Sequence, residues 1–297
     1  MKSNTATAAS RNALAGRLAV FAELVKARLT LMVLVTTAVG FYMGAATVGW
    51  AALFHVLLGT ALVASGAQAL NQYLEKDHDA RMPRTANRPI PAGLVRPEVA
   101  LLYGGAAGVI GLVYLAMAVN PLTSVIGAVT LVSYVLIYTP LKRVTTLNTL
   151  VGAIPGALPP LMGWTAAQGS LGLEGWALVG ILFLWQMPHF LAISWMYRDE
   201  YAQADFAMLS VEDETGERTS LHALWYTIVL LPFALAPYAL ESAGWIYLSA
   251  ALLLGGMFIA AAFRFSRNLT VASARKLFYY SLLYLPLLLG VMVWDKA

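Results

Sequence analysis

Asn71, Glu75 and Asp79 recur every fourth residue in NQYLEKDHDARMPRTANRPIPAG, residues 71–93. The spacing predicts a helix over 70–81, in which each four-residue step drifts about 40° from a full turn, so the three side chains share one face. Successive rungs then stand about 6 Å apart along the axis. Two carboxylates on neighbouring turns repel and weaken a helix. A divalent cation held between them reverses that effect, which makes Asn71, Glu75 and Asp79 the candidate metal ligands. Asp77 and His78 fall off that face, where solvent exposure is expected.

Arg81, Arg84 and Arg88 follow directly. Pro83 disfavours helix at Met82, so the helix should stop near Arg81 and the arginines should fold back over its end. Guanidinium forks donate paired, charge-assisted hydrogen bonds to phosphate oxygens. Carboxylates reach phosphate only through a cation, and Mg²⁺ prefers oxygen ligands. Acids and arginines together therefore point to a metal-bridged diphosphate. A solvated connection, with the acids as salt-bridge partners, uses the same residues in a plainer way. Lys142 and Arg143, on a short turn after Pro140, are further diphosphate candidates. The segment 197–221 echoes the first one, with Arg198, Asp199 and Glu200 at a helix end. Two such ends facing one cavity would make a cation-filled pocket, with Asp199 and Glu200 as additional ligands and Arg198 beside the diphosphate.

The elements that must position these residues are apolar. The chain is 60% hydrophobic and 11% charged, with mean hydropathy +0.70, well outside the range of soluble domains. Nine stretches are long enough to cross about 30 Å of hydrocarbon: 29–47, 50–73, 98–118, 121–138, 146–165, 175–196, 222–240, 243–263 and 277–294. Pro140, Pro155, Pro159 and Pro160 interrupt the fourth and fifth, which membrane helices tolerate where they face one another or a cavity. The fold class is all-α and polytopic, a single domain over 1–297 with a flexible N-terminal tail at 1–20.

Of 19 Lys and Arg residues, every one but Lys296 falls on one side of this topology. The positive-inside rule puts that side in the cytoplasm, with the N-terminus in and the C-terminus out. The net charge of +4 is thus mainly topological, and no basic stripe with interleaved aromatics points to nucleic acid. Cysteine is absent, which excludes disulfides, thiolate nucleophiles and Cys-based metal sites. The first residues lack a signal-peptide core. The short chain favours a bacterial inner-membrane protein; the Ser, Ala and Arg content of the start leaves the mitochondrial inner membrane as the alternative.

Asn71-x3-Glu75-x3-Asp79, followed by Met82-x-Arg84-Thr85-x2-Arg88-Pro89, resembles the first signature of the UbiA-type intramembrane prenyltransferases. The fuller text is similar to their protohaem IX farnesyltransferase branch. Tyr138-Thr-Pro-Leu-Lys142-Arg143-x-Thr145, the run Asn148–Trp164, Trp185-Gln-x-Pro188-His189-Phe190, and Arg198-Asp199-Glu200-Tyr201 with Met208-Leu209 carry that likeness, in order, over residues 24–210. Two departures stand out. The family more often has Asp where Glu75 stands, and its second acidic element reads Asp-Tyr with a Gly shortly after. Here that element is Glu200-Tyr201, with Asp205 at the Gly-like place.

The resemblance implies nine helices around a central cavity, farnesyl diphosphate as donor, Mg²⁺ as cofactor and haem b as acceptor, inside a lipid bilayer. It implies catalytic roles for Asn71, Glu75 and Asp79, haem contacts for His189 and His222, and a diphosphate contact at the start of the first span, mainly for Arg28 of the pair Lys26 and Arg28, which topogenic anchoring would otherwise explain. The sequence itself gives no partner enzyme; the need to hand over a reactive, insoluble haem is what suggests a haem A synthase or a terminal-oxidase assembly factor. Asp79→Ala is expected to abolish turnover and leave the chain folded. Three rival readings remain: a relative prenylating an aromatic or quinone precursor, a secondary transporter with acids at a cation site, and a non-catalytic haem chaperone.

Overall fold

The computed structural model describes residues 16–297. Among them nine helices are long and apolar enough to cross a membrane: α1 (Ala27–Gly44), α2 (Trp50–Asp79), α3 (Pro97–Ala118), α4 (Pro121–Leu141), α5 (Asn148–Gln168), α6 (Leu173–Met196), α7 (Glu217–Ala239), α8 (Trp245–Arg267) and α9 (Val271–Trp294). Helices are the expected solution, because hydrocarbon offers no partner for an unpaired backbone group. Of the tail expected at 1–20, residues 1–15 lie outside the described residues, and 16–20 are already helical.

Local signals fix several helix starts. Pro97 and Pro121 occupy first-turn positions, where the missing N–H has no intrahelical partner to lose. The Asn120 side chain caps α4 by accepting from the Thr123 N–H at 2.8 Å, and Thr270 with Ser273 forms a capping box on α9. The seventh and ninth helices begin earlier than their apolar runs. Glu217 and Arg218 therefore open α7, and Arg275 and Lys276 fall in the second turn of α9.

The prolines bend rather than break the two interrupted spans. α4 relaxes into a π-helical turn over Ser133–Tyr138, a distortion frequent at functional sites. α5 is two short helices, Asn148–Ala157 and Pro159–Gln168, meeting at Leu158. Its second half lies tightly on α1: a Cβ on Gly40 would stand 1.9 Å from the Pro160 carbonyl oxygen, and one on Gly163 1.9 Å from that of Thr37. Small residues at such crossings let two membrane helices approach closely.

Helices α1, α2, α4, α5 and α6 supply the walls of an internal cavity. The last three helices pack as a group, with α7 and α9 laid against α6. Hydrogen bonds tie the connections together at each end. At one end Lys296 donates to the carbonyls of Tyr42 and Ala45, and Gln168 to that of Gly44. At the other, Arg143 donates to the Leu74 carbonyl and Asn148 to that of Ala207.

α2 decides where the site sits. Its 30 residues rise about 45 Å, half as long again as the hydrocarbon is thick. Some 20 residues counted from Trp50 use up the apolar thickness by about Leu70. The turns from Asn71 to Asp79 therefore stand at headgroup level, as one continuous helix with the membrane span.

Candidate active site

The predicted ladder forms, and it faces inward. Asn71, Glu75 and Asp79 are 0%, 2% and 2% exposed, whereas Asp77 on the opposite face is exposed. Each rung is held by a basic side chain from another part of the chain. Lys26 Nζ donates to Asn71 Oδ1 at 3.0 Å. Lys142 Nζ donates to Glu75 Oε1 at 2.7 Å. Arg88 Nη1 donates to both Asp79 oxygens, at 2.7 and 2.6 Å. A buried carboxylate without such a partner is strongly disfavoured, so the ladder exists only because three cations converge on it.

Local sequence explains how each cation arrives. Lys26 has a left-handed backbone, φ 44°, at the corner between helix 16–24 and α1. Gln72 secures that corner by donating to the carbonyls of Glu23 and Leu24, both at 2.9 Å. Non-glycine residues in this region are strained, and such strain concentrates at functional sites. Lys142 follows the π-turn of α4, and Thr139, the residue directly after that turn, accepts from Asn71 Nδ2 at 3.1 Å. Arg88 sits in the loop after Pro83, which folds back as expected; Thr85 Oγ1 pins it by donating to the Asp79 carbonyl at 2.8 Å.

The three cations are not equivalent. Burial alone would lower the Lys142 ammonium, but the Glu75 carboxylate beside it raises it above the usual range. Burial, with the Arg88 guanidinium adding to it, pushes Lys26 down to about 7. The nearest partner of Lys26 is a neutral amide, so an arriving anion gains most there.

Below the ladder lies a cavity of about 280 Å³. Lys26 and Lys142 line its upper end, and Val33, Val63, Leu131 and Phe190 its apolar walls. Tyr134 and Gln68 form a polar pair across it, with the hydroxyl donating to Gln68 Oε1 at 3.1 Å. Gln186 enters from α6, its amide donating to the carbonyls of Leu182 and Ala153. Lys26, Gln68, Tyr134, Tyr138 and Gln186 all line this space, and the spacing argument did not select them. Two amides inside apolar runs, Gln68 and Gln186, were the legible signal.

Several expected site residues do not converge. Arg28 is exposed; the corner turns Lys26 inward in its place. Arg81 pairs on the surface with Asp205 at 2.9 Å. Arg84 stands at the rim, donating to Tyr201 Oη at 3.0 Å and lying 4.9 Å from the Tyr197 ring. Arg143 is spent on the Leu74 carbonyl at 2.8 Å. Arg198 lies over the Trp195 ring at 4.8 Å, and its neighbour Asp199 is 88% exposed. Glu200 is half-buried, with one oxygen lacking a partner. Among the described residues no group of three His, Asp or Glu side chains converges on a metal position, in the first acidic segment or the second.

The histidines also depart from expectation. His222 is exposed and bonded to the Arg218 carbonyl one turn back. His189 lies on the α9 side of α6, its Nδ1 2.7 Å from Ser281 Oγ and its ring against Trp185 and Phe278. One residue is about 100° on a helix, and it is the next residue, Phe190, that lines the cavity. His78 is half-buried against Phe206 and within 3.1 Å of the Ala204 carbonyl, where exposure was expected. His55 packs against Tyr114, its Nδ1 2.6 Å from the hydroxyl.

The segment after α6 covers the ladder end as a strap. Phe206, Met208 and Ala204 bury Met82, and the Ala207 N–H donates to the Lys142 carbonyl at 2.8 Å. Asp205 takes φ 56°, a conformation that glycine adopts freely, which is the physical reason a glycine fits that place.

The donor set fits Mg²⁺. That ion takes hard oxygen ligands from one or two carboxylates and completes its shell with water and substrate phosphate; Glu75 and Asp79, one turn apart with Asn71 on the turn before, would offer such oxygens once released from Lys142, Arg88 and Lys26.

The profile of the UbiA prenyltransferase family matches residues 33–285. A protein of Solibacter usitatus named protoheme IX farnesyltransferase is 43% identical over 286 residues, 93% of this chain and 98% of that one. One of Koribacter versatilis with the same name is 42% identical over 308 residues, 98% and 97% of the two chains. The fold matches that of a solved digeranylgeranylglyceryl phosphate synthase with TM-score 0.80 at 14% identity, covering 94% of this chain and 98% of the other. A UbiA homolog from Archaeoglobus fulgidus bound to DMAPP and Mg²⁺ matches with TM-score 0.62 at 15% identity, covering 92% and 98%. These structural likenesses are of fold alone.

Proposed function

The chain belongs to the UbiA prenyltransferase family, and from that membership we propose that it transfers a farnesyl group from farnesyl diphosphate to a vinyl group of protohaem IX, with addition of water, giving haem O. The observation that carries this reading is the ladder of buried oxygens ringed by Lys26, Lys142 and Arg88 above an apolar cavity. With Lys26 protonated, the two carboxylates and three cations sum to one positive charge, which suits a site that receives an anion complexed with a cation.

Lys26, Lys142 and Arg88 turn from the ladder to the diphosphate as it binds, which frees Asn71, Glu75 and Asp79. Asn71, Glu75 and Asp79 would then hold Mg²⁺, which would supply the charge that draws electrons out of the farnesyl C1–O bond. That bond breaks and the electron pair leaves with the diphosphate, whose developing charge the two lysines and the arginine stabilise. The apolar walls keep water from the allylic cation. The vinyl π-electrons of the haem then attack C1. Water adds to the porphyrin-stabilised cation and loses a proton, which completes a hydroxyethylfarnesyl side chain. At about 280 Å³ the cavity falls below the usual range for drug-sized ligands. It suits the prenyl chain, and the macrocycle meets C1 from outside it.

The ladder end is cytoplasmic in this reading, with the C-terminus outside a bacterial inner membrane. The product, a reactive and insoluble haem, passes to a haem A synthase or a terminal-oxidase assembly factor. The deciding experiment incubates purified protein with haem b, farnesyl diphosphate and Mg²⁺. The extracted haem gains the mass of a farnesyl group plus water; an unaltered haem mass refutes the assignment.

A further inference from the structure

The cavity has a built floor. Thr60 on α2, Thr130 on α4 and Met162 on α5 are its lining residues farthest along their helices from the ladder end. Thr60 is 1% exposed, and its hydroxyl has no hydrogen-bond partner. Thr130, by contrast, is satisfied by the Ile126 carbonyl. Met162 is also 1% exposed, and its terminal methyl lies against α4, 3.2 Å from where a Cβ on Gly127 would stand. An unpaired hydroxyl and a pinned methionine thus close the far end of the cavity, beyond its Tyr134–Gln68 pair.

The depth of this floor is set by α2. Thr60 precedes Asn71 by eleven residues in one unbroken helix, which places it about 16 Å below the Lys26–Asn71 level. With bonds near 1.5 Å, each four-bond isoprene unit adds about 5 Å, so three units reach about 15 Å and four about 20 Å. We infer that Thr60 and Met162 set the length of the prenyl chain, admitting three isoprene units and rejecting a fourth. The inference rests on the prenyl-transfer reading of the same site and names its chain-length determinants. A fourth unit would press an apolar end onto the Thr60 hydroxyl and a methionine already packed against α4.

The test measures binding of the unreactive thiolodiphosphate analogues of geranyl, farnesyl and geranylgeranyl diphosphate, with Mg²⁺ and without haem, by calorimetry in detergent. Wild-type protein binds the farnesyl analogue about tenfold tighter than the geranylgeranyl one, the discrimination a small apolar mismatch supplies. Met162→Ala removes that difference, and Met162→Phe shifts the preference about tenfold towards geranyl. Thr60→Val, which keeps the shape and deletes the hydroxyl, improves geranylgeranyl binding several-fold. Should Met162→Ala fail to fold, Met162→Phe and Thr60→Val decide. An unchanged order in every folded variant overturns the floor while leaving diphosphate binding intact. Loss of all three analogues from wild-type protein overturns both readings. Shifted selectivity with no farnesylated haem supports the floor and sinks only the acceptor assignment.

Discussion

Two acid-bearing segments end transmembrane helices on the same side of the molecule, and they meet opposite fates. In the first, Asn71, Glu75 and Asp79 remain part of α2 and are sealed by Lys26, Lys142 and Arg88. In the second, α6 stops at Met196 and the acids fall on a separate short helix, Arg198–Gln203, with no buried residue. Asp199 points to solvent, Glu200 is half-buried, and Asp205 makes an exposed ion pair. The two segments are alike in charge and differ in whether their helix runs on unbroken. An unbroken helix holds its acids against the neighbouring helices that carry their counter-ions. An interrupted one leaves them to water, where ion pairs contribute about 0–1 kcal/mol. The second segment serves instead as a strap, through Tyr201 and Phe206.

The contrast is open to test, and the largest effect should come from the metal. Chelation with EDTA should stop farnesyl transfer entirely and added Mg²⁺ restore it, read as haem O formed per minute. Turnover that persists in EDTA would mean that the buried ladder needs no metal. Next, Asp79→Asn should lower kcat/KM by about a thousandfold, the upper range for removing one electrostatic stabiliser, while Asp199→Asn should change it less than twofold. Equal losses would join the two segments into one site and undo the comparison. Asp79→Ala is the poorer probe. It also leaves the part-buried Arg88 guanidinium without its partner, at about 1–3 kcal/mol of stability, visible as a lower Tm of a chain that still folds.

A third pair sharpens the role of the corner before α1. Lys26→Met should lower kcat/KM ten- to a hundredfold, about 1.5–3 kcal/mol for a hydrogen bond to a charged group, whereas Arg28→Met should leave it within twofold. The reverse outcome would place the diphosphate on the exposed side of α1. The smallest effect belongs to the strap. Asp205→Gly trades an exposed ion pair for a relaxed left-handed backbone, so thermal unfolding should move by less than about 1 kcal/mol. A large loss would show that the Arg81–Asp205 contact closes the site.

The ladder itself was legible because helical periodicity is local: three residues four apart share a face wherever the helix is placed. The fold-back after Pro83 was legible for the same reason. Arg28 and Lys26 were not separable, since two positions on a helix start differ only by a rotation that the left-handed corner at Lys26 decides. Arg143 and Arg198 carry the right charge, but a backbone carbonyl and a tryptophan ring claimed them first. His189 shows the limit most plainly. Its motif is specific, yet one residue of helical phase separates it from the cavity that Phe190 lines.

Composition and periodicity determined that this is a membrane protein, with nine membrane-length helices among the described residues and a row of oxygen donors at the end of one long helix. Those properties depend on transfer out of water and on repeat angle, which act residue by residue. Which cations meet the donors, that the second acidic segment stays outside, and how deep the cavity runs were decided only by tertiary packing. Each depends on distances between residues far apart in the chain, and these are set when α1, α4 and α5 close around α2.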